Sequence, residues 1–439
     1  MRARTRDRAH QGRVEFRSVD VGLFARERTG RDQRAGTGEE LMRAVRTRVA
    51  VVGAGPSGLL LSHLLHTQGI DSVVLERRSR EHVESRVRAG MLEQGVADLI
   101  RQAGVGARMD REGFVHDGFE LRIGDRRHRV SLTGLTGRTV CMYGQQELVK
   151  DLIRARTEAA ATLHFGVEDV KLHGLTGDAP VVRCTIDGEP TEITCDFVAG
   201  CDGFHGVSRR SVPASALSVY EHEYPFAWLG VLARMPPVAS ELVYSAHERG
   251  FALYSMRTES LSRLYLQVAP DDDGSTWPPE LIWKELATRL GPDASEVLRP
   301  GPILETSVTR MRGFVAEPMQ YGRLFLAGDA AHIVPPTAAK GLNLAVGDVR
   351  TLAQAFARWY SSGDRGPLDE YSATCLPAVW RAQEFSAAMT WLLHRPADST
   401  GFTERLRRSR LENLVSSRAA ATEFAENYVG VSRDRIAGS

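Results

Sequence analysis

The sequence predicts an α/β protein of more than one lobe, in which a glycine-turned βαβ unit leads into a strand-rich middle and a helical end. Three observations carry this. A glycine-rich turn sits between an apolar run and a helical pattern near residue 50, two later apolar strands end in glycine-flanked aspartates, and the last hundred residues follow helical spacing. At 439 residues the chain exceeds what one hydrophobic core usually spans.

The first element is the run "RVAVVGAGPSGLLLSHLLHTQGI" from Arg48, an apolar strand followed by Gly53-x-Gly55-x-x-Gly58, an apolar helix and Gly69 as a stop. Eighteen residues past Gly58, a second strand "SVVLE" ends in Glu76. The glycines admit a pyrophosphate, the helix start offers free N–H groups, in which Ser57 takes part, and Glu76 suits ribose hydroxyls. An NAD dehydrogenase shares this fingerprint. Further along, "CDFVAGCDGFHGVSRR" (195–210) and "GRLFLAGDAAHIVPP" (322–336) place Asp202 and Asp329 at strand ends, as an extended dinucleotide with a second sugar-like chain requires. Flavin adenine dinucleotide (FAD) has such a chain in its ribityl group.

Between these motifs lie alternating strands, "ELVYSA", "GFALYSMR" and "SRLYLQV", in which alternation alone makes Ser255, Arg257 and Tyr265 outward residues. After them Gly341 opens a helix whose positions Leu342, Val346, Val349, Ala353, Phe356 and Tyr360 form one apolar face. His332 reads as a satisfied core histidine.

Composition excludes several classes. A net charge of +1 leaves no footprint for nucleic acid, and the apolar patch "GLLLSHLL" is far short of the roughly 20 residues of a membrane span. The five cysteines contain no C-x-x-C pair and read as reduced thiols of a cytoplasmic protein. No metal-ligand set is seen. The first 46 residues hold 12 of the 56 basic and 7 of the 55 acidic residues and no Lys, so the body carries 44 basic against 48 acidic groups. Residues 1–42 are expected to be an unstructured, dispensable Arg-rich extension, with a native start suggested at Met42.

With the three dinucleotide motifs in order, and with "RVRAGMLEQG", "YPFAWLG", "RGFALYS", "AAKGLNLA" and "ENYVG" between or after them, the chain from Arg48 to Val431 resembles the class A flavoprotein aromatic hydroxylases, in particular the branch acting on 4-hydroxybenzoate. The implied fold class is α/β: a Rossmann-like FAD-binding domain over 43–218, a mixed-sheet substrate domain over 219–333 and a helical C-terminal or interface region over 334–439. The implied reaction uses NAD(P)H and O2, through a C4a-hydroperoxyflavin, to hydroxylate C3 of 4-hydroxybenzoate. The family is usually dimeric.

The resemblance also implies roles. Asp329 binds the ribityl chain. Pro335, Pro336 and Thr337 wall the flavin and substrate, while Leu342 and Asn343 lie at the helix start aimed at the flavin. Ser255, Arg257 and Tyr265 hold the substrate carboxylate, Tyr244 touches its phenol, and Tyr244, Tyr428 and His116 form a proton relay in which a near-neutral histidine meets solvent. Arg86 contacts the nicotinamide cofactor, Arg88 the flavin pyrophosphate and Gln145 the flavin; His205 and Arg312 lie near nicotinamide-binding positions. Arg77, Arg78 and Arg80 suit the 2′-phosphate of NADPH, with Glu81 and Glu84 opposing them and His82 in place of a tyrosine, so NADPH is expected and NADH is the alternative. Ala338 stands where the family has glycine, which costs stability if that position needs positive φ. A flavoprotein reductase without oxygen chemistry would share every FAD motif but not the carboxylate and phenol positions; a non-catalytic flavin-binding protein would lose them.

Overall fold

Strand Arg43–Val52 begins the described fold, and its last four residues are buried because parallel neighbours flank it on both sides. In the computed structural model residues 42–88, 90–291 and 298–430 are described. The extension and the native start expected at Met42 therefore lie outside the described residues, except for Met42 itself.

The first of two eight-stranded sheets runs Gln320–Tyr321, Leu324–Leu326, Glu189–Gly200, Arg43–Val52, Ser72–Glu76, Thr162–Phe165, with Val181–Ile186 and Glu168–His173 branching from Glu189–Gly200. The contacts of Arg43–Val52 with Glu189–Gly200 and Ser72–Glu76, and of Glu189–Gly200 with Leu324–Leu326, are parallel. The three strand ends that carry Gly53, Cys201–Asp202 and Ala327–Asp329 are thus brought to one edge, the usual ligand side of an open α/β sheet.

The second sheet runs His332–Ile333, Ile303–Glu317, Ser218–Arg234, Leu261–Val268, Gly250–Thr258, Val243–His247, Gly118–Ile123, Arg126–Ser131. It is antiparallel except where Val243–His247 meets Gly118–Ile123. Two of its strands come from before residue 218, and the edge pair Gln320–Leu326 of the first sheet comes from inside 219–333. The two sheets share segments of chain that a linear division keeps apart.

Both faces of the second sheet are covered. On one, Ala252, Tyr254, Leu264 and Leu266 pack with Ile282, Leu286 and Leu290 of the helix Pro279–Leu290. On the other, Trp228, Tyr244, Phe251 and Leu253 pack with Ala338, Phe385, Met389, Leu393 and Tyr428. Ser255, Arg257 and Tyr265 therefore do not face outward, as alternation alone suggests: the helical region caps their face, Ser255 is 2% exposed, and Arg257 is half-buried. A period-2 pattern gives the face of a residue but not what covers it.

The helix Gly341–Ser362 is buried over more than the expected stripe, since Asn343, Leu344, Ala345, Asp348, Leu352 and Ala355 are also enclosed while Leu342 and Tyr360 are half-exposed. It lies against both the glycine-loop helix Pro56–Thr67 and the long helix Tyr371–Leu393. Among the described residues no helix is long and apolar enough to cross a membrane.

Candidate active site

The glycine turn shows why each glycine is where it is. Gly53 has φ +104°, and a Cβ there would meet the Cys201 carbonyl oxygen at 2.4 Å; a Cβ on Gly58 would lie 1.9 Å from the Gly53 carbonyl oxygen. These two glycines allow backbone to pass backbone. Gly55 is different, because a Cβ on it would meet nothing within 4 Å. It caps the helix Pro56–Thr67 without a side-chain hydrogen bond, so the helix start faces an open cradle with Ser57 in its first turn. Glu76 closes the side of that cradle, accepting from the N–H of Ala54 and the N–H of Arg78, both at 2.8 Å.

Asp202 accepts from the Ser208 N–H at 2.9 Å with one oxygen, while Oδ1 is buried without a hydrogen-bond partner; burial raises its carboxyl pKa. Asp329 has a solvent-accessible carboxylate surrounded closely enough by protein to be partly desolvated. That desolvation raises its pKa, and His332, Arg88 and Arg86 pull it down. His332 is satisfied by Asp348 at 2.6 Å, and the same Asp348 oxygen takes the Gly328 N–H at 2.9 Å. Gln145 begins the helix Gln145–Glu158.

Burial lowers the Arg88 pKa, and the charges of Arg86, Asp329, Tyr265 and Arg263 lie within electrostatic reach of it, so Arg88 stands between this edge and the second sheet. Tyr244 stands opposite Leu253, Leu253 opposite Tyr265, and Ser255 opposite Arg263 across neighbouring strands. Tyr244, Ser255 and Tyr265 are thereby held on one face by sheet register. Gly230, opposite Tyr265, leaves room for Arg263 and Tyr265, since a Cβ there would lie 2.8 Å from the Arg263 guanidinium. Ser255 Oγ and Arg257 Nε are buried and have no hydrogen-bond partner. Burial lowers the Arg257 pKa, and neighbouring Tyr265 opposes that.

The Tyr244 and Tyr428 hydroxyls are 2.9 Å apart, with Phe119 packed against both rings. Burial pushes both phenol pKa values well up. His116 belongs to the strand Phe114–His116, just before Phe119, and is 2% exposed; neither ring nitrogen has a hydrogen-bond partner. Its pKa is lowered to about 4 by desolvation, with Asp117 raising it. The expected near-neutral titration is therefore corrected: His116 is neutral at pH 7 because a buried imidazolium loses its hydration.

Pro336–Ala338 form a single turn, with Thr337 fully buried and Pro336 partly open. The left-handed residue in this loop is Ala339, at φ 51°, not Ala338, so the methyl of Ala338 carries no backbone penalty. Asn343 has a saturated side chain: it donates to the Met91 and Ala339 carbonyls and accepts from the Glu93 N–H.

Around Arg77 and Arg78, both exposed, the neighbouring Arg80 is paired with Glu84 at 2.7 Å. His205 is exposed beside Phe204, and Arg312 pairs with Glu221 and Glu223 while lying over the Phe204 ring.

Three buried groups escape a reading of the sequence. Lys340 donates to Glu93 and to the Tyr428 carbonyl, both at 2.7 Å, which ties the loop before Gly341 to the last helix. Arg263 is held by Glu305 and Ser307 under Tyr265. His394 joins a helix end to Trp228. Lys340 lies inside the quoted "AAKGLNLA", but its carboxylate is 247 residues away.

Comparison with known proteins agrees with this geometry. A family model described as an FAD binding domain matches residues 46–386. The p-hydroxybenzoate hydroxylase of Acinetobacter baylyi is 47% identical over 391 residues, 89% of this chain and 96% of that protein. A probable NADH-specific resorcinol 4-hydroxylase of Rhodococcus jostii is 25% identical over 75% of this chain and 62% of its own length. Among solved structures, p-nitrophenol 4-monooxygenase of Pseudomonas putida DLL-E4 superposes with a TM-score of 0.73 at 20% identity, covering 88% of this chain and 99% of that one, a likeness of fold. The glycine cradle and the strand-end carboxylates fit FAD, and the chain belongs to the family of FAD-dependent aromatic hydroxylases, on the branch that holds p-hydroxybenzoate hydroxylase.

Proposed function

We propose that the protein is a monooxygenase that hydroxylates 4-hydroxybenzoate at C3 to 3,4-dihydroxybenzoate, consuming NAD(P)H and O2. The observation that carries this reading is the sheet face on which buried, unpartnered Ser255 Oγ and Arg257 Nε accompany the hydrogen-bonded Tyr244–Tyr428 pair. A carboxylate at one end and a phenol at the other answer both.

Gly53, Gly55, Ser57 and Gly58 would hold the FAD pyrophosphate with Arg88, Glu76 the ribose, Asp329 the ribityl chain, and Gln145, Asp202, Leu342 and the Asn343 backbone further parts of the flavin. When bound, FAD supplies redox chemistry between the nicotinamide and O2. Arg257 presents a planar fork to the substrate carboxylate, and Ser255 and Tyr265 fill its remaining lone pairs. Pro336 and Thr337 form the wall beside the ring. The substrate phenol donates to Tyr244 Oη, whose own proton turns to Tyr428 Oη. Because burial keeps both tyrosines protonated, the proton passes from one to the other by exchange of hydrogen bonds. His116, buried with both ring nitrogens unpartnered, is the proposed onward acceptor and needs a rearrangement or a bridging water to reach Tyr428. The substrate then reacts as the more nucleophilic phenolate.

The nicotinamide cofactor falls to Arg77, Arg78, Arg86 and His205. Two exposed arginines beside a neutralised Arg80–Glu84 pair favour NADPH. Equal turnover with NADH at matched concentration overturns that preference.

The deciding experiment measures O2 uptake by the holoprotein with NAD(P)H, with and without 4-hydroxybenzoate, and follows 3,4-dihydroxybenzoate by chromatography. Stimulated uptake with stoichiometric product supports the proposal. Nicotinamide oxidation that never yields a hydroxylated ring means a reductase, and product only from another phenolic acid means a sister hydroxylase. The same reading includes a cytoplasmic homodimer, supported by five unpaired buried cysteines and by exposed Trp380, Phe402 and Leu406 on the C-terminal helices. A concentration-independent monomer in sedimentation equilibrium refutes the dimer.

A further inference from the structure

The substrate recess has two sides built by different parts of the chain: the sheet face with Ser255, Arg257 and Tyr265, and the turn with Pro336 and Thr337. The last turn of the helix Tyr371–Leu393 bonds to both. Thr390 Oγ1 donates to Thr337 Oγ1 at 2.8 Å, with both residues fully buried. Four residues on, His394 is also fully buried, its Nε2 lies 2.6 Å from Trp228 Nε1, and its Nδ1 lies 2.9 Å from the Thr390 carbonyl oxygen. An indole N–H can only donate, so His394 Nε2 accepts and Nδ1 carries the proton that goes to Thr390.

Trp228 passes this constraint to the site. Its ring stacks on Phe251 at 5.3 Å and lies 4.7 Å from the Tyr265 ring, while His394 stacks on Phe226 at 4.7 Å. The backbone after His394 is pinned as well, because Gln267 donates to the Arg395 carbonyl at 2.6 Å and accepts its N–H at 3.0 Å. Gln267 is two residues from Tyr265 and opposite Trp228. One helix end thus holds the proline turn through a hydroxyl and the carboxylate pocket through an imidazole.

We propose that Thr390 and His394 are positioning residues that set the separation between the carboxylate pocket and the Pro336–Thr337 wall, and so the fraction of reducing equivalents that ends in ring hydroxylation. The inference rests on the function proposed above. Neither residue touches substrate. Their buried bonds have no exchange with water, so the separation is fixed to the tolerance of a hydrogen bond, and misplacement of about 1 Å can cost roughly 100-fold in rate.

The test uses the flavin-loaded full chain with Thr390→Val, which keeps shape and removes the hydroxyl, Thr390→Ser as the conservative rescue, and His394→Phe, which keeps the ring and removes both bonds. Three quantities are read: product per nicotinamide consumed, the dissociation constant for 4-hydroxybenzoate, and the change in the flavin visible band when 4-hydroxybenzoate binds the oxidised protein. Thr390→Val should lower product per nicotinamide by at least about two-fold and alter the visible-band change, with a smaller effect on the dissociation constant, as loss of alignment more than of binding requires. Thr390→Ser should restore both. Wild-type coupling in Thr390→Val, or a defect that Thr390→Ser does not rescue, overturns the inference while leaving the proposed function standing. A wild-type chain that forms no 3,4-dihydroxybenzoate overturns the function and the inference with it.

Discussion

Arg257 is half-buried with its Nε lacking a hydrogen-bond partner, which costs free energy that the proposed substrate carboxylate would offset. Arg257→Ala should give a folded, yellow holoprotein whose affinity for 4-hydroxybenzoate falls by about 2–5 kcal/mol, the range for truncating one member of a buried charge pair. Titration of the flavin spectrum measures it, and an unchanged dissociation constant rejects Arg257 as the carboxylate partner. Tyr244→Phe removes one oxygen and leaves the ring packed on Phe119. Substrate binding and fold should persist, while product per nicotinamide drops and hydrogen peroxide rises, because a neutral phenol is the poorer nucleophile. Full coupling at the wild-type rate makes Tyr244 a packing residue. Residue types at these positions were legible through the resemblance, since Ser, Arg and Tyr at alternate strand positions match a carboxylate. The ionisation of His116 was not, because a pKa near 4 reflects the enclosure of its ring.

The glycine turn separates two kinds of constraint within one element. Gly58→Val collides with the Gly53 carbonyl and should prevent folding, whereas Gly55→Val projects into open space and should give a folded protein that has lost its flavin. Circular dichroism and flavin content after gel filtration distinguish the two, and a Gly55→Val protein that stays fully yellow removes the pyrophosphate from this cradle. The turn, its helix and Glu76 were all readable from the sequence because their contacts are local or one βαβ unit apart. The helix Gly341–Ser362 was readable as a helix but not in its burial. Its 3.6-residue stripe marks the face with apolar side chains, whereas Asn343 and Asp348 are enclosed through hydrogen bonds to Met91 and Gly328, which no periodicity reports.

At the scale of the molecule, buried neutral histidines couple stability to pH. His116 and His394 have pKa values lowered to about 4 and about 3 from 6.5, so the unfolded chain binds protons that the folded chain refuses. Their contribution is therefore lost as pH falls from about 6.5 towards 4 and is fully present above that window. Asp202 and Asp329, held above 3.8, work in the opposite sense, so the informative quantity is the difference between variants. The fall in urea midpoint between pH 7.5 and 5 should be smaller for His116→Gln than for the wild type; equal falls mean that His116 is not buried neutral. The same scale divides what the chain states from what it conceals. The sequence by itself determined the α/β class, the dinucleotide turn and the strand-end aspartates, because each depends on a short repeat or on a chemistry tied to a few residue types. Only the tertiary structure decided that strands from 118–131 complete the second sheet, that a helical cap buries the face of Ser255 and Arg257, and that Lys340 meets Glu93 and His394 meets Trp228. Those pairings join residues 166 and 247 positions apart, and their worth comes from excluding water, which happens only once the separate elements have packed.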